Sequence, residues 1–362
     1  MKQQQVAMQE PTQPVPLHER YNLQAELEQQ YQRLLDKDLS LDDRLEAFEF
    51  ITDSEVGDTP LMRGRHVERE LGFRQVYLKL EGSNPTGTQK DRIAFAQCAD
   101  ALRRGFDGIC LATCGNYGVA CSLAAKYAGL DCIIYIPEAY HTRRSEEMRQ
   151  LGAKIFTVKG DYEDAVAASQ VHARRIEYYD ANPGGDNTLL QLKAYGEIAY
   201  EIYDELRDAP RAVAVPVSNG TVLAGVYRGF LSLYRRGKTS RMPIMVAGSS
   251  ARKNPIVSSF LQGKDHCIEL EPGSIKETEI NEPLINWHSF DGDHALQALY
   301  KTNGWARDVT DRTMLRLGKL LKDKEGLNVL PAATAGLAAL AEPPDPELLE
   351  NDRFVVILTS RK

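Results

Sequence analysis

From about residue 60 onward the chain alternates short apolar runs with longer stretches in which apolar residues recur at helical spacing. The runs "QVYLKLE", "GICLAT", "DCIIYIP" and "KIFTVKG" predict strands, and "DRIAFAQCADALRRG", "YGVACSLAAKYAG", "TRRSEEMRQLG" and "DYEDAVAASQVHARR" predict the helices that follow them. A second series starts after about residue 187, with helix "LQLKAYGEIAYEIYDEL", strand "AVAVPV", helix "LAGVYRGFLSLYRRG", strand "PIMVAGS" and, last, "RFVVILTS". Strands that read as apolar runs, without alternation, belong to parallel sheets covered by helices on both faces, so the pattern predicts two α/β halves. Before them, residues 1 to about 20 are rich in Gln and Pro, and "LQAELEQQYQRLLDKDLSLDDRLEAFEF" has near-helical apolar spacing. Residues 1–50 therefore read as a partly helical extension.

Composition narrows the function classes. Of 362 residues, 43% are hydrophobic and 26% charged, which suits a globular protein of two domains or one large one. The net charge is −7 and the basic residues are scattered, which argues against nucleic-acid binding. No segment reaches the roughly 18 uninterrupted apolar residues of a membrane helix, and the first twenty residues lack a signal-like apolar core; the expected location is cytoplasmic. The six cysteines form no C-x-x-C pair and five lie between Cys98 and Cys132, within segments that read as buried, so reduced core thiols are expected. The seven histidines show no metal-binding spacing, and no metal is expected.

Four loops fall where α/β sheets bind ligands, after a strand and ahead of a helix. "NPTGTQKDR" puts Lys90 at a helix entrance, where the positive helix end and partial desolvation both favour the neutral amine. "LATCGNYGVA" presents Thr113, Cys114, Asn116 and Tyr117 beside backbone donors suited to a carboxylate. "AVPVSNGTVLAGV" offers Ser218, Asn219, Gly220, Thr221 and Val222 at a turn able to cradle a phosphate. "VVILTSRK" delivers Thr359 and Ser360 at the end of an apolar strand. Each loop alone also reads as an ordinary turn, a helix cap or a solvated strand end.

In this order, over about residues 55 to 362, the loops resemble fold type II pyridoxal-phosphate enzymes, the tryptophan synthase β-like class, and within it the threonine synthase branch. "NPTGTQKDR" is similar to the family's N-P-T-G-S-F-K-D-R, with Thr88 and Gln89 replacing Ser and Phe, and the resemblance makes Lys90 the Schiff-base lysine and catalytic residue. It further implies Asn116 at the ring hydroxyl, Thr113, Cys114, Asn116 and Tyr117 at the substrate carboxylate, residues 218–222 at the phosphate and Thr359 at the pyridine nitrogen. Leu330 stands where the family has glutamate. The implied cofactor is pyridoxal 5′-phosphate, set in a cleft between a large domain (51–92 and 188–362) and a small mobile one (93–187). A homodimer is the implied assembly.

The implied chemistry is elimination or replacement on an amino acid, with O-phosphohomoserine to threonine leading. Two alternatives stand beside it: β-elimination or β-replacement on a serine derivative, and a non-catalytic cofactor-binding scaffold. Threonine synthases often carry N-P-x-R-x-E-G-Q-K-T, whereas this chain has "NPGGDNTLLQLKAYGE", with Gly185 in the arginine position. A weaker preference for a substrate phosphate is expected from that loss, with Arg143, Arg144 or Lys193 as substitutes. Gly185→Arg is expected to fold normally.

Overall fold

The computed structural model describes residues 22–113, 115–138, 144–349 and 352–362. In chain order the strands are β1 (Leu61–Arg63), β2 (Gln75–Leu80), β3 (Gly108–Ala112), β4 (Asp131–Pro137), β5 (Lys154–Val158), β6 (Tyr179–Asp180), β7 (Ala212–Pro216), β8 (Ile244–Ser250), β9 (Trp305–Val309) and β10 (Arg353–Leu358). The helices are α1 (Leu23–Leu35), α2 (Leu41–Glu55), α3 (Arg65–Leu71), α4 (Lys90–Arg103), α5 (Asn116–Ala128), α6 (Ser145–Gln150), α7 (Tyr162–Arg175), α8 (Thr188–Leu206), α9 (Thr221–Arg235), α10 (Pro255–Leu261), α11 (Gly292–Lys301), α12 (Asp311–Leu320) and α13 (Ala335–Leu340).

These strands form two sheets. One runs β1-β2-β10-β7-β8-β9 and the other β5-β4-β3-β6, and every pairing except β1 with β2 is parallel. β3 and β7 are buried at every position, as strands covered on both faces must be. Along β10, Val355 and Ile357 join the apolar cluster that includes α4, α5, α8 and α9, while Phe354, Val356 and Leu358 join a second cluster with α12 and α13. The period-2 alternation of the strand thus separates two layers of core.

Sequence patterning missed three strands. β1 and β6 are three and two residues long, too short to show a period. β9, "WARDV", lies at the sheet edge and is only partly covered, so it carries polar residues and does not read as an apolar run. The helix expected over "TRRSEEMRQLG" is described only as Ser145–Gln150; residues 139–143 lie outside the described segments.

The expected boundary at residue 50 falls inside α2, and the preceding helices belong to the core. Ser40 caps α2 through the Asp43 N–H at 3.1 Å, and Phe48 stacks on Phe95 of α4 with centroids 5.7 Å apart. Tyr31 of α1 meets Tyr127 of α5 edge-on at 5.8 Å. Leu34, Ala47, Phe48 and Ile51 are buried against these helices of the same chain. Cys98, Cys110, Cys121 and Cys132 are buried free thiols and Cys267 is half-buried; Cys114 lies outside the described residues.

Candidate active site

In the larger sheet β2, β10, β7 and β8 are consecutive parallel neighbours, so the segments leaving their carboxyl ends line one edge. This brings together three of the four loops. The N–H of Gln89 donates to the Thr359 carbonyl at 3.0 Å and that of Arg361 to the Gly87 carbonyl at 3.0 Å, closing a short antiparallel bridge between Thr88 and Ser360. Thr359 is buried, and its hydroxyl has no protein hydrogen-bond partner among the described residues.

Lys90 is the first residue of α4, at the end of a tightly tied turn. The Thr86 N–H and hydroxyl donate to the Asp91 carboxylate at 2.8 and 2.7 Å, and Asn84 donates to the Glu81 carbonyl at 2.9 Å. Below, Arg92 forks onto Glu81 at 2.7 and 2.8 Å and onto Glu201 of α8 at 2.7 and 2.9 Å, while Lys79 reaches Glu201 at 2.5 Å. Glu81 is fully buried and Arg92 only 5% exposed, so this network makes up for the desolvation of its charges by mutual pairing. Burial works against the charge of Glu201, yet the hydrogen bonds and charge of Arg92, then Lys79, hold its carboxyl down at about 2. Glu81 and Glu201 gave no signal in the sequence, since an acidic residue in a strand end or helix usually faces water.

The turn delivers the Lys90 ammonium over the Tyr117 ring, 5.8 Å from its centroid. Burial lowers the pKa of Lys90 below the ordinary lysine value, with Cys121 and Asp291 opposing in part. A lysine held that way is closer to the neutral amine a nucleophile or base requires.

The β3–α5 loop faces the same space from the smaller sheet. Thr113 is buried and its hydroxyl accepts the Gly115 N–H at 3.5 Å. Asn116 and Tyr117 open α5, and their N–H groups meet no acceptor among the described residues. Side-chain roles separate here. The Asn116 Oδ1 accepts from Arg144 Nη1, whereas the Tyr117 hydroxyl turns into the core, donating to the Ala181 carbonyl at 2.7 Å and meeting Gln97. What Tyr117 offers the cleft is its backbone N–H and ring face; a hydroxyl contact to a substrate carboxylate is not available to it in this arrangement.

Between β7 and α9, Gly220 sits at φ +87, and a Cβ there would lie 2.7 Å from Ala295 and 2.8 Å from Ile256. The N–H groups of Ser218, Asn219, Gly220, Thr221 and Val222 have no acceptor among the described residues, and they cluster at the positive end of a 15-residue helix. The side chains around them hold the loop from behind. Asn254 donates to the Ser218 carbonyl at 2.9 Å, Asn286 to Asn219 Oδ1 at 2.8 Å, and Asp291 accepts from the Thr221 and Thr188 hydroxyls at 2.6 and 3.0 Å. The Asn254-Pro255 pair carried a helix-start signal that points to the first of these supports; Asn286 and Asp291 carried none.

The family model for pyridoxal-phosphate dependent enzymes matches residues 52–360. The chain belongs to that family. Its cofactor is pyridoxal 5′-phosphate, and its fold is type II. This pyridoxal-phosphate enzyme is 30% identical over 311 residues to the threonine synthase of Methanocaldococcus jannaschii, covering 84% of this chain and 74% of that one. With the threonine synthase of Synechocystis it shares 28% identity, over 80% and 72% of the two chains. Maize serine racemase superposes with a TM-score of 0.74 at 18% identity over 88% and 92% of the chains. The L-serine ammonia-lyase of Rhizomucor miehei does so at 0.71 and 22%, over 85% and 95%.

The residues present fit this cofactor by their own chemistry. A desolvated lysine suits an aldehyde, a row of unpaired N–H donors at a helix end suits a phosphate, and the unpartnered Thr359 hydroxyl suits a ring nitrogen. Among the described residues no group of side chains suits a metal ion, and no helix is long and apolar enough to cross a membrane.

Proposed function

We propose that this enzyme carries out elimination or replacement on an amino-acid substrate, in the manner of a threonine synthase, with O-phosphohomoserine and water as the leading reactants. The observation that carries the reading is Lys90, a partly buried lysine of depressed pKa set beside the donor-rich start of α5 and tied to the strand end at Thr359.

When bound, pyridoxal phosphate supplies an electron sink for the pair left on a substrate Cα. The N–H groups of residues 218–222 and the α9 dipole would hold the phosphate, and Asn116 would meet the ring hydroxyl. Lys90 would carry the cofactor, and its Nζ, favoured in the neutral form by burial, would take the substrate Cα proton. The α5 N–H groups, with Thr113 and Cys114, receive the substrate carboxylate; Cys114 lies outside the described residues. Thr359 is a neutral hydroxyl, unable to keep the ring nitrogen protonated as a carboxylate would, which restrains charge build-up on the ring and suits elimination or replacement more than transamination. Retention of Lys90, Asn116 and Thr359 together speaks against a non-catalytic scaffold.

A second reading, β-elimination or β-replacement on a serine derivative, is favoured by Gly185. The backbone there is left-handed, at φ +55, and nothing lies within 4 Å of where a side chain would begin. Lys193, one of the expected substitutes for the missing arginine, is exposed on α8. Incubating the reconstituted enzyme with O-phosphohomoserine, O-acetylserine and serine, and following phosphate, acetate, ammonia and threonine, decides between the two. Threonine with equimolar phosphate is the expected result; turnover of the serine compounds alone establishes the second. We further propose that residues 93–187 move as a small domain that closes over substrate, with a homodimer as the assembly. Hydrogen exchange in the β3–α5 loop that is unchanged by a substrate analogue would remove the closure.

A further inference from the structure

Arg144 immediately precedes α6, and its guanidinium reaches the side chains of Glu147 and Asn116 among its contacts. Nε and Nη2 fork onto the Glu147 carboxylate at 3.0 and 3.2 Å, and Nη1 donates to the Asn116 Oδ1. The placement is fixed from beneath. Met148, one turn further along, is fully buried against Gly118 of α5, where an added Cβ would come within 2.5 Å of the Met148 Cε. The missing side chain at Gly118 lets α6 lie close on α5, and that contact sets Arg144 beside the first residue of α5.

A guanidinium has donors and no acceptor, so the atom of Asn116 that faces it must be the oxygen. The Asn116 Nδ2, which has no partner among the described residues, is then left as a donor. Its natural counterpart is an acceptor carrying negative charge. We infer that Arg144 is a positioning residue: it locks the Asn116 amide so that Nδ2 donates to the cofactor's ring oxygen, and it brings a fixed positive charge to that side of the ring. The inference rests on the reading that Asn116 faces the ring oxygen. It assigns a task to a residue outside all four loops, one that couples the α5 entrance to α6 through Glu147. The charge of Arg144 also reaches the Lys90 turn, where it acts to lower Asp91 against a burial that raises that carboxyl to about 6.

The test compares wild type, R144M, R144K, N116A and the R144M/N116A double variant, each reconstituted with pyridoxal phosphate. Cofactor affinity and the pH titration of the bound-cofactor absorbance are measured for each. R144M and N116A are each expected to weaken cofactor binding by roughly tenfold, the scale of one charge-assisted hydrogen bond, and to shift the absorbance titration. The double variant is expected to be no worse than N116A, because the two act through one contact, and R144K to restore part of the loss. Losses that multiply in the double variant would overturn the proposal. So would an R144M enzyme with unchanged affinity and spectrum but a raised substrate KM, which would make Arg144 a substrate anchor. If N116A itself changes neither affinity nor spectrum, the assignment of Asn116 to the ring fails, and the role of Arg144 fails with it.

Discussion

The backbone N–H of Gln89 lies 3.0 Å from the carbonyl oxygen of Thr359, so the residue just before Lys90 is hydrogen-bonded to the end of the last strand, 270 positions further along the chain. A flexible lysine loop would have to be ordered each time the cofactor arrived. Here the order is built in: the bridge between Thr88 and Ser360, the two Thr86 bonds to Asp91 and the Arg92 forks all hold the turn through contacts within the protein itself.

Lys90 is expected to be the residue labelled when the holoenzyme is reduced with borohydride and its peptides are mapped; a label elsewhere would overturn its assignment. The cofactor-free protein gives an independent check. Burial lowers the Lys90 pKa in the folded state, so between that value and the ordinary 10.5 the unfolded chain binds more protons. Stability of the wild type should therefore rise with pH through that window. Lys90→Met removes the titration, and denaturation of the two apo proteins at pH 7 and pH 10 should show the variant's advantage at pH 7 shrinking at the higher pH.

Arg92→Met should destabilise the fold by about 3–5 kcal/mol, the cost of leaving a buried ion pair half-made, since Glu81 is fully buried and pairs with no other cation among the described residues. Glu201 adds a pH signature. Its folded-state pKa of about 2 lies below the ordinary 4.5, so its contribution is present above 4.5 and lost as the pH falls toward 2. Urea unfolding of wild type across pH 2 to 5 should show that loss, and Arg92→Met should show less of it.

The chemistry-bearing loops were legible because each combines a local motif with a strand end, and both are local properties. Lys90, Asn116 and residues 218–222 stand at helix starts, Thr359 follows the last strand, and parallel strand order alone gathers three of the loops at one edge. What holds them was not legible. Glu201 is 109 positions from Arg92, and Asp291 is 70 from Thr221; no periodicity encodes such pairs. The α1 and α2 helices were visible in the apolar spacing, but their docking on α4 and α5 depends on aromatic contacts that only the packed chain defines.

Gly185 corrects an expectation. There is room for an arginine side chain, yet the left-handed backbone at φ +55 makes any residue with a Cβ costly, by roughly 1–2 kcal/mol. Gly185→Arg should fold with a lowered Tm, where the sequence suggested a neutral change. Gly184→Ala should be worse, because its Cβ would also come within 2.9 Å of the Phe290 Cβ. Thermal melts of both variants check the order.

Thr221 allows the phosphate reading to be tested at a single N–H. It is the first residue of α9, where proline's fixed φ is accepted and its missing donor breaks no helical hydrogen bond. Proline also crowds the residue before it: Gly220 has no Cβ to clash, but at ψ -12 its N–H faces the proline Cδ, so the thermal melt of this variant is compared with that of Thr221→Ala to confirm that the turn is kept. Thr221→Pro therefore removes one donor from the cluster at residues 218–222 and also the hydroxyl bound to Asp291. Thr221→Ala removes only the hydroxyl, and so isolates the N–H. If that N–H binds the phosphate, the proline variant should hold pyridoxal phosphate roughly tenfold more weakly than the alanine variant, the scale of a hydrogen bond to a charged group. Their kcat values at saturating cofactor should match, because the donor acts on binding and not on the reacting centre. Equal affinities in the two variants would mean that the turn between β7 and α9 is a connection only, and that the phosphate is held elsewhere.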